Sequence, residues 1–303
     1  MTGGGKGEHV TLQVEELGEA AKFYEDVLGL AEITREDGTV YYGCGYDGNY
    51  DLAIREGAVG VDHIAVRVAD ADKLEDYEER LAADGVRFER TDGTEPGQER
   101  GLRFELPSHL QLELVSVTDK TYQHSENPAI DGRAGIAPVD LNHFNFMPPD
   151  VKRDAKFMRD VLDFSVSEAI LEDWSGGAFL RKGAKHHDIA ILERADSSTN
   201  RADYHHTAFS VRSADHMVQL IDRVQQVGVD LEVGIGRHHG GDNLYSYFVA
   251  PDGHRIELTA QMAELDEDTP TLVRDTDESR FNAWRDNEEI PASFARGSGL
   301  ANQ

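Results

Sequence analysis

A chain of 303 residues is long enough to bury two ordinary hydrophobic cores. Lys and Arg number 30 against 58 Asp and Glu, a formal net charge of -28, so nucleic acid and anionic membranes are poor partners for this surface. With 8 lysines and 22 arginines beneath that carboxylate excess, the surface is like that of proteins from salt-loving organisms, where salt screens the self-repulsion. Cys44 is the single cysteine, which excludes an intrachain disulfide and suits a reducing compartment. Residues 1–9 hold no apolar leader and no run is long enough to span a bilayer, so a cytoplasmic protein is expected.

The first element is the alternating run at residues 9–14, which has the period-two pattern of a strand. A helix follows, ending in Phe23-Tyr24-Glu25-Asp26-Val27-Leu28-Gly29-Leu30. A second strand with its own histidine, residues 62–68, precedes a helix with Leu74, Tyr77 and Leu81 on one face and a stop at Gly85. Residues 118–138, polar and marked by Gly and Pro, read as a linker. The pattern then begins again with a strand at 142–146, a helix ending at 157–164, and strands at 178–181 and 188–192. A fourth histidine-bearing strand, 206–211, leads into a helix with Ser213 as N-cap. Met217, Leu220, Ile221, Val224 and Val227 fall at helical spacing before Gly228, and strands at 245–249 and 255–259 close the unit. The chain therefore reads as α+β: four βαβββ modules repeating about every sixty residues and paired into two similar domains. The halves span residues 5–118 and 138–262. The acidic tail, 263–303, is weakly periodic until Phe281 and Trp284, which are expected to anchor it to the body.

A histidine on a strand is most often a half-buried residue satisfied by a backbone partner. His143, however, has His206 at the same position of the paired module. Glu257 lies between Ile256 and Leu258, where an unpaired carboxylate is costly to bury and a divalent cation removes that cost. Two imidazoles and one carboxylate leave an open coordination face, which suits Fe(II) binding an organic substrate together with O2. Mn(II) accepts the same ligands, and Zn(II) on them suits a hydrolase or isomerase. Alternation puts His143 and Asn145 on one face of their strand and turns His205 away from His206. His187 opens the strand at 188–192, and His238 sits in Gly236-Arg237-His238-His239-Gly240. A turn at Pro251-Asp252-Gly253 pairs the strands of Tyr247 and Glu257 as a hairpin, so both side chains can face one cavity.

These residues carry a resemblance. The modular repeat is similar to that of the vicinal oxygen chelate superfamily, the glyoxalase, bleomycin-resistance and dioxygenase fold. The stretch from Gly236-Arg237-His238 through Tyr247 to Ala250-Pro251-Asp252-Gly253 and Glu257 resembles the signature of type I extradiol ring-cleavage dioxygenases, of the catechol 2,3-dioxygenase kind. Ser246 departs from the aliphatic residue usual before the tyrosine. The resemblance implies iron ligation by His143, His206 and Glu257, and acid–base and hydrogen-bonding work by His187, His238 and Tyr247. It implies a substrate pocket with Asn145 and Trp174 in its wall. A catechol-type diol and O2 are the implied substrates, a 2-hydroxymuconic semialdehyde-type compound the product, and a homo-oligomer, commonly a tetramer, the assembly. Other enzymes of the fold (2-oxoacid-dependent dioxygenases, glyoxalase-like isomerases) and metal-free binding modules are the alternatives.

The amino-terminal half carries His9, His63 and Glu113 at the corresponding positions. Aligning the last hairpins without gaps puts Arg103 where Tyr247 lies and Thr94 near the place of His238, while Tyr50 replaces His187. A fixed cation there opposes a divalent metal and can pair with Glu113 instead. This half is therefore expected to be structural and metal-free.

Overall fold

The computed structural model describes residues 5–45, 47–118, 136–194, 199–276, 280–285 and 289–301, so the expected linker lies almost wholly outside the described residues. The first module runs β1 (Lys6–Val14), α1 (Leu17–Lys22), β2 (Ala31–Glu36), β3 (Thr39–Gly43) and β4 (Leu52–Glu56). Its helix is short in α form and continues as a π-helical turn over Phe23–Val27. The second module is β5 (Gly60–Arg67), α2 (Lys73–Ala83), β6 (Phe88–Arg90), β7 (Gln98–Glu105) and β8 (Gln111–Val117). The third is β9 (Asp140–Met147), α3 (Val151–Asp160), β10 (Ser165–Ile170), β11 (Gly177–Arg181) and β12 (Ile189–Leu192). The fourth is β13 (Asp203–Ser210), α4 (Ala214–Gln226), β14 (Leu231–Arg237), β15 (Leu244–Val249) and β16 (Arg255–Ala260). The βαβββ order thus recurs four times, as the histidine-bearing repeat implies.

Strand pairing explains where a site can form. In every module the last strand lies parallel beside the first: β4 on β1, β8 on β5, β12 on β9 and β16 on β13. First strands then pair antiparallel across modules, β1 with β5 and β9 with β13. Each half is one sheet, ordered β2-β3-β4-β1-β5-β8-β7-β6 in the first and β14-β15-β16-β13-β9-β12-β11-β10 in the second. The module-opening histidines consequently meet at the centre of each sheet, facing the last strands of their modules.

One continuous apolar cluster runs through both halves, from Val10 and Ile64 to Phe144, Phe209 and Leu258, all fully or nearly fully buried. Each such side chain contributes about 1.5–3 kcal/mol. The helices cover it with the faces their spacing implies: Leu74, Tyr77 and Leu81 on α2, and Met217, Leu220, Ile221 and Val224 on α4. Val227 departs from that expectation. It lies just beyond the last helical residue and is 54% exposed, because the helical period no longer applies there. Ser213 Oγ accepts from the His216 amide at 3.2 Å, and Asp150 does the same for Arg153 at 3.0 Å. Caps of this kind contribute about 1 kcal/mol each.

The halves are tied by a reciprocal exchange of buried aspartates. Asp51 of the first accepts the Leu141 amide at 3.1 Å and the Cys44 amide at 2.7 Å. Asp188 of the second accepts the Gly7 amide at 3.1 Å and the Lys182 amide at 2.7 Å. Each aspartate binds the first strand of the opposite half, which satisfies buried N–H groups that no strand reaches.

Residues after β16 form a strap. β17 (Leu272–Arg274) lies parallel on β10, a 3-10 turn spans Ala292–Ala295, and Ser298 and Leu300 bridge to Tyr204 and Val61. Phe281 anchors the strap as expected, but Trp284 is 57% exposed and meets only the Arg237 guanidinium among described aromatic contacts. Among the described residues no helix is long and apolar enough to cross a membrane.

Candidate metal centre and active site

On the central strands of the second half, Ala208 stands opposite both His143 of β9 and Glu257 of β16. His206, two residues earlier on β13, comes to the same side. The Nε2 atoms of His143 and His206 are 3.3 Å apart, and Glu257 Oε2 is 3.1 and 3.0 Å from them. Three donors at right angles around a divalent ion at about 2.1 Å would stand about 3 Å apart. Glu257 is fully buried, and its Oε2 has no hydrogen bond of acceptable geometry. Burial alone would raise its pKa, but positive charge on His143 and His206, when they are protonated, outweighs that and holds it well below the usual carboxylate range.

The outer nitrogens show which way each imidazole is presented. His143 Nδ1 donates to the Asn142 side-chain oxygen at 2.8 Å, so its Nε2 lone pair points at the cluster. His205 Nε2 lies 2.7 Å from the Phe294 carbonyl, which can only accept, so this nitrogen carries the proton. His205 Nδ1 is then the acceptor for His206 Nδ1 at 2.6 Å, which leaves His206 Nε2 bare. Two lone pairs and a carboxylate oxygen converging in a buried site make a donor set that fits a divalent metal. His205 was expected to face away. The register shift between Tyr204 and His206 breaks the alternation, and both histidines join the cavity wall.

The cavity that opens from the triad measures about 220 Å³. His187, at the mouth of β12, stacks edge-on against His143 with ring centres 4.3 Å apart, and its Nδ1 is 3.0 Å from His186 Nδ1. Burial, then the neighbouring His143, His186 and His238, push its pKa well below 6.5 and keep the ring neutral. Tyr247 is registered directly opposite Glu257, as the hairpin implies, with Gly253 (φ +87°) making the turn. Its hydroxyl lies 2.8 Å from His238 Nε2, while His238 Nδ1 donates to the Phe281 carbonyl at 3.0 Å. Tyr247 therefore donates to His238, and burial plus the Glu257 charge push its phenol pKa well above 10. Asn145 lines the same cavity, and its buried side-chain oxygen has no hydrogen-bond partner.

Trp174 is a correction. It does not line the cavity; its indole packs on the main core and lies under the Arg159 guanidinium at 4.8 Å. The aromatic wall comes instead from Phe179 on β11 and from Phe281 and Phe294 of the strap. Alternation on β11 puts Phe179 on the cavity side, but nothing in a weakly periodic tail signals two cavity-lining rings. Glu168 also lines the cavity, its carboxylate 2.8 Å from Arg274 Nε and 3.5 Å from His186 Nε2.

In the first half, Arg103 is registered opposite Glu113 as Tyr247 is opposite Glu257, and Tyr50 stacks on His9 at 4.3 Å. The residue that reaches in from the loop before β7 is Glu95. Thr94, expected near the place of His238, turns back to the Thr91 carbonyl and Gln98. The loop before β7 thus places Glu95, one residue beyond Thr94, at the cluster.

The chain matches the family model of the Glyoxalase/Bleomycin resistance protein/Dioxygenase superfamily at residues 7–114 and 140–258. It is 26% identical over 263 residues to a manganese-dependent 2,3-dihydroxybiphenyl 1,2-dioxygenase of Geobacillus genomosp. 3, covering 82% of this chain and 83% of that one. The homoprotocatechuate 2,3-dioxygenase structure from Arthrobacter globiformis superposes with a TM-score of 0.85 at 27% identity, over 98% of this chain and 92% of the other. A Mn(II)-bound glyoxalase from Novosphingobium aromaticivorans gives 0.81 at 27% identity, over 92% and 90%. Two module-paired sheets and a family match across both place this chain in the Glyoxalase/Bleomycin resistance protein/Dioxygenase superfamily, where its similarity extends to extradiol dioxygenases over most of its length.

Proposed function

We propose that this protein is a metal-dependent extradiol dioxygenase, which opens a catechol-type ring with O2 to a 2-hydroxymuconic semialdehyde-type product. The observation that carries this is the orphaned Glu257 Oε2 converging with two bare imidazole nitrogens in a cavity that also presents His187 and Tyr247. His143, His206 and Glu257 would hold Fe(II), with Mn(II) the other ion their donor set accepts. When bound, such an ion acidifies a catechol and gives ring and O2 a shared, redox-capable meeting point.

The protein's own groups do the rest. Tyr247, a neutral phenol, hydrogen-bonds a substrate oxygen, and His238 behind it takes up or returns a proton through the 2.8 Å contact. His187, a neutral imidazole, is placed to hydrogen-bond the oxygen that meets the ring and to relay a proton as the O–O bond breaks. Asn145 offers its free oxygen to a ligand hydroxyl. Phe179, Phe281 and Phe294 exclude water and clasp the ring. The same reading carries a cytoplasmic, salt-adapted homo-oligomer, a tetramer, which light scattering on the eluting protein checks.

The test is anaerobic loading with Fe(II) or Mn(II) in high-salt buffer, followed by catechol and air. O2 uptake with a yellow ring-opened product is the expected result. A protein with one bound equivalent that consumes no O2 with catechol or its alkyl and aryl derivatives would sink the reading. It would favour the isomerase reading that the likeness to a Mn(II)-bound glyoxalase supports.

A further inference from the structure

The first half reproduces the triad residue for residue, with one substitution at its centre. Ala65 stands opposite His9 and Glu113 as Ala208 stands opposite His143 and Glu257. His63, like His206, lies two residues before that alanine. The paired Nε2 atoms are 3.3 Å apart in both halves. Glu113 Oε2, however, is 3.5 and 3.6 Å from His9 and His63, about half an ångström farther than Glu257 Oε2 is from its histidines.

Arg103 fills the opened space. A single atom, Nη2, lies 3.0 Å from Glu95 Oε1, 3.1 Å from Glu113 Oε2 and 3.1 Å from His63 Nε2. Its two protons serve three acceptors, and the buried Arg103 Nε has no partner. The surrounding groups are nonetheless oriented as ligands are. Asp62 accepts from His63 Nδ1 at 2.8 Å, which turns the Nε2 lone pair inward. Gln98, at 2.7 Å, and the Thr91 hydroxyl both donate to Glu113 Oε1, which leaves Oε2 facing the centre. Glu95 adds a fourth donor, its Oε2 held by the Tyr50 hydroxyl at 2.6 Å and 3.3 Å from His9 Nε2. The donor atoms of His9, His63, Glu95 and Glu113 all lie within 4.8 Å of one another.

We propose that Arg103 is a built-in substitute for a metal ion, and that removing its guanidinium turns the His9–His63–Glu95–Glu113 cluster into a second divalent-metal site. The buried Glu113 carboxylate and the half-buried Glu95 beside it demand positive charge. Arg103 supplies it as one fixed cation, which keeps the donors at hydrogen-bond distance and bars a divalent ion by occupation and by repulsion. Without that side chain, two imidazoles and two carboxylates surround a space of metal-site size, a donor set suited to Zn(II) or Mn(II). The inference concerns the half that the dioxygenase reading leaves idle, and it stands whether or not that reading holds.

The test uses the full chain carrying His206→Ala, so that the second half's ligand set is disabled. Arg103→Ala is added, the protein is stripped with chelator, exposed to Zn(II) or Mn(II), gel-filtered, and its metal counted by elemental analysis. Arg103→Ala should hold about one equivalent more than its parent. That equivalent should vanish in Arg103→Ala/His63→Ala and be absent from Arg103→Lys, which keeps a cation. Monodisperse Arg103→Ala with no more metal than the parent would overturn the proposal, as would a gained equivalent that survives loss of His63. Recovery of folded Arg103→Ala only with metal in the buffer supports it, because the ion then replaces the guanidinium. Failure to recover either Arg103→Ala or Arg103→Ser with any ion overturns it.

Discussion

His238 Nδ1 donates to the main-chain carbonyl of Phe281 at 3.0 Å, so a residue of the strap fixes the tautomer of a cavity histidine. Phe294 does the same for His205 at 2.7 Å, and through His205 it orients His206. The two carbonyls reach the cavity's two sides: one sets the acceptor for Tyr247, the other sets a triad imidazole. The strap thus closes the cavity with its rings and aligns its hydrogen bonds with its backbone.

Phe281→Ala keeps the carbonyl but removes a ring that sits 4.9 Å from both His238 and Tyr245. Water should enter and His238 should loosen, so kcat/KM for a catechol should fall about 10- to 100-fold, or about 1.4–2.7 kcal/mol. Metal content should not change, since no triad ligand touches this ring. O2-uptake kinetics beside elemental analysis check both halves of that statement, and unaltered kcat/KM would remove the strap from the active site.

His187→Phe preserves the edge-on packing against His143 while deleting both ring nitrogens. Metal and catechol binding should persist, and turnover should fall by roughly 10²–10⁴, the usual worth of a positioned acid–base group. Single-turnover kinetics with catechol binding measured anaerobically separate the two. Unchanged turnover would strip His187 of its assigned role.

Much of this was legible in sequence because period and repetition are strong signals. Four histidine-led strands fixed the module order, and a turn of Pro251-Asp252-Gly253 set Tyr247 opposite Glu257. What escaped depended on contacts without a period. His205 enters the cavity because a one-residue bulge overrides alternation, and Glu95 reaches its cluster through a loop. Trp174 suggested a pocket wall by type alone, whereas its position under Arg159 follows from tertiary packing. The strap rings lie far along the chain from the strands they cover, in a segment whose composition resembles solvated tail.

In the metal-free protein the buried histidines of the second half should weaken the fold as pH falls. Burial drives the pKa of His206 down to about 4, and it pushes those of His187 and His205 well below 6.5. At these three histidines the unfolded chain binds more protons than the folded one below pH 6.5, so their contribution falls as pH falls. Asp51, pushed up to about 8, Asp154, to about 6, and His9, to about 9, hold protons in the fold and act the other way. From pH 7 to pH 5, His206 alone should cost roughly 2 kcal/mol, and His187 and His205 act in the same direction. Bound metal should steepen the loss, because protons compete for His206. Urea midpoints of chelated parent and chelated His206→Ala at the two pH values test this: the parent should lose about 2 kcal/mol more between pH 7 and pH 5, and an identical pH dependence would refute it.

Salt should stabilise the fold strongly. With 58 carboxylates against 30 basic side chains, anions outnumber cations almost two to one, and exposed pairs such as Arg35–Glu32 or Lys73–Asp76 are individually worth little. The dominant long-range term is then repulsion among like charges, which added salt screens as the Debye length shrinks from about 10 Å at 0.1 M to about 3 Å at 1 M. Screening also weakens attractive surface pairs, but with 30 cations against 58 anions the repulsive sum is larger. Tm should therefore climb on the order of 10 °C between dilute buffer and molar KCl, with NaCl equally effective. The buried Arg67–Glu8 and Arg255–Glu232 pairs are shielded from solvent ions and should not offset the gain. A Tm that stays flat or falls with KCl would mean the carboxylate excess does not govern stability.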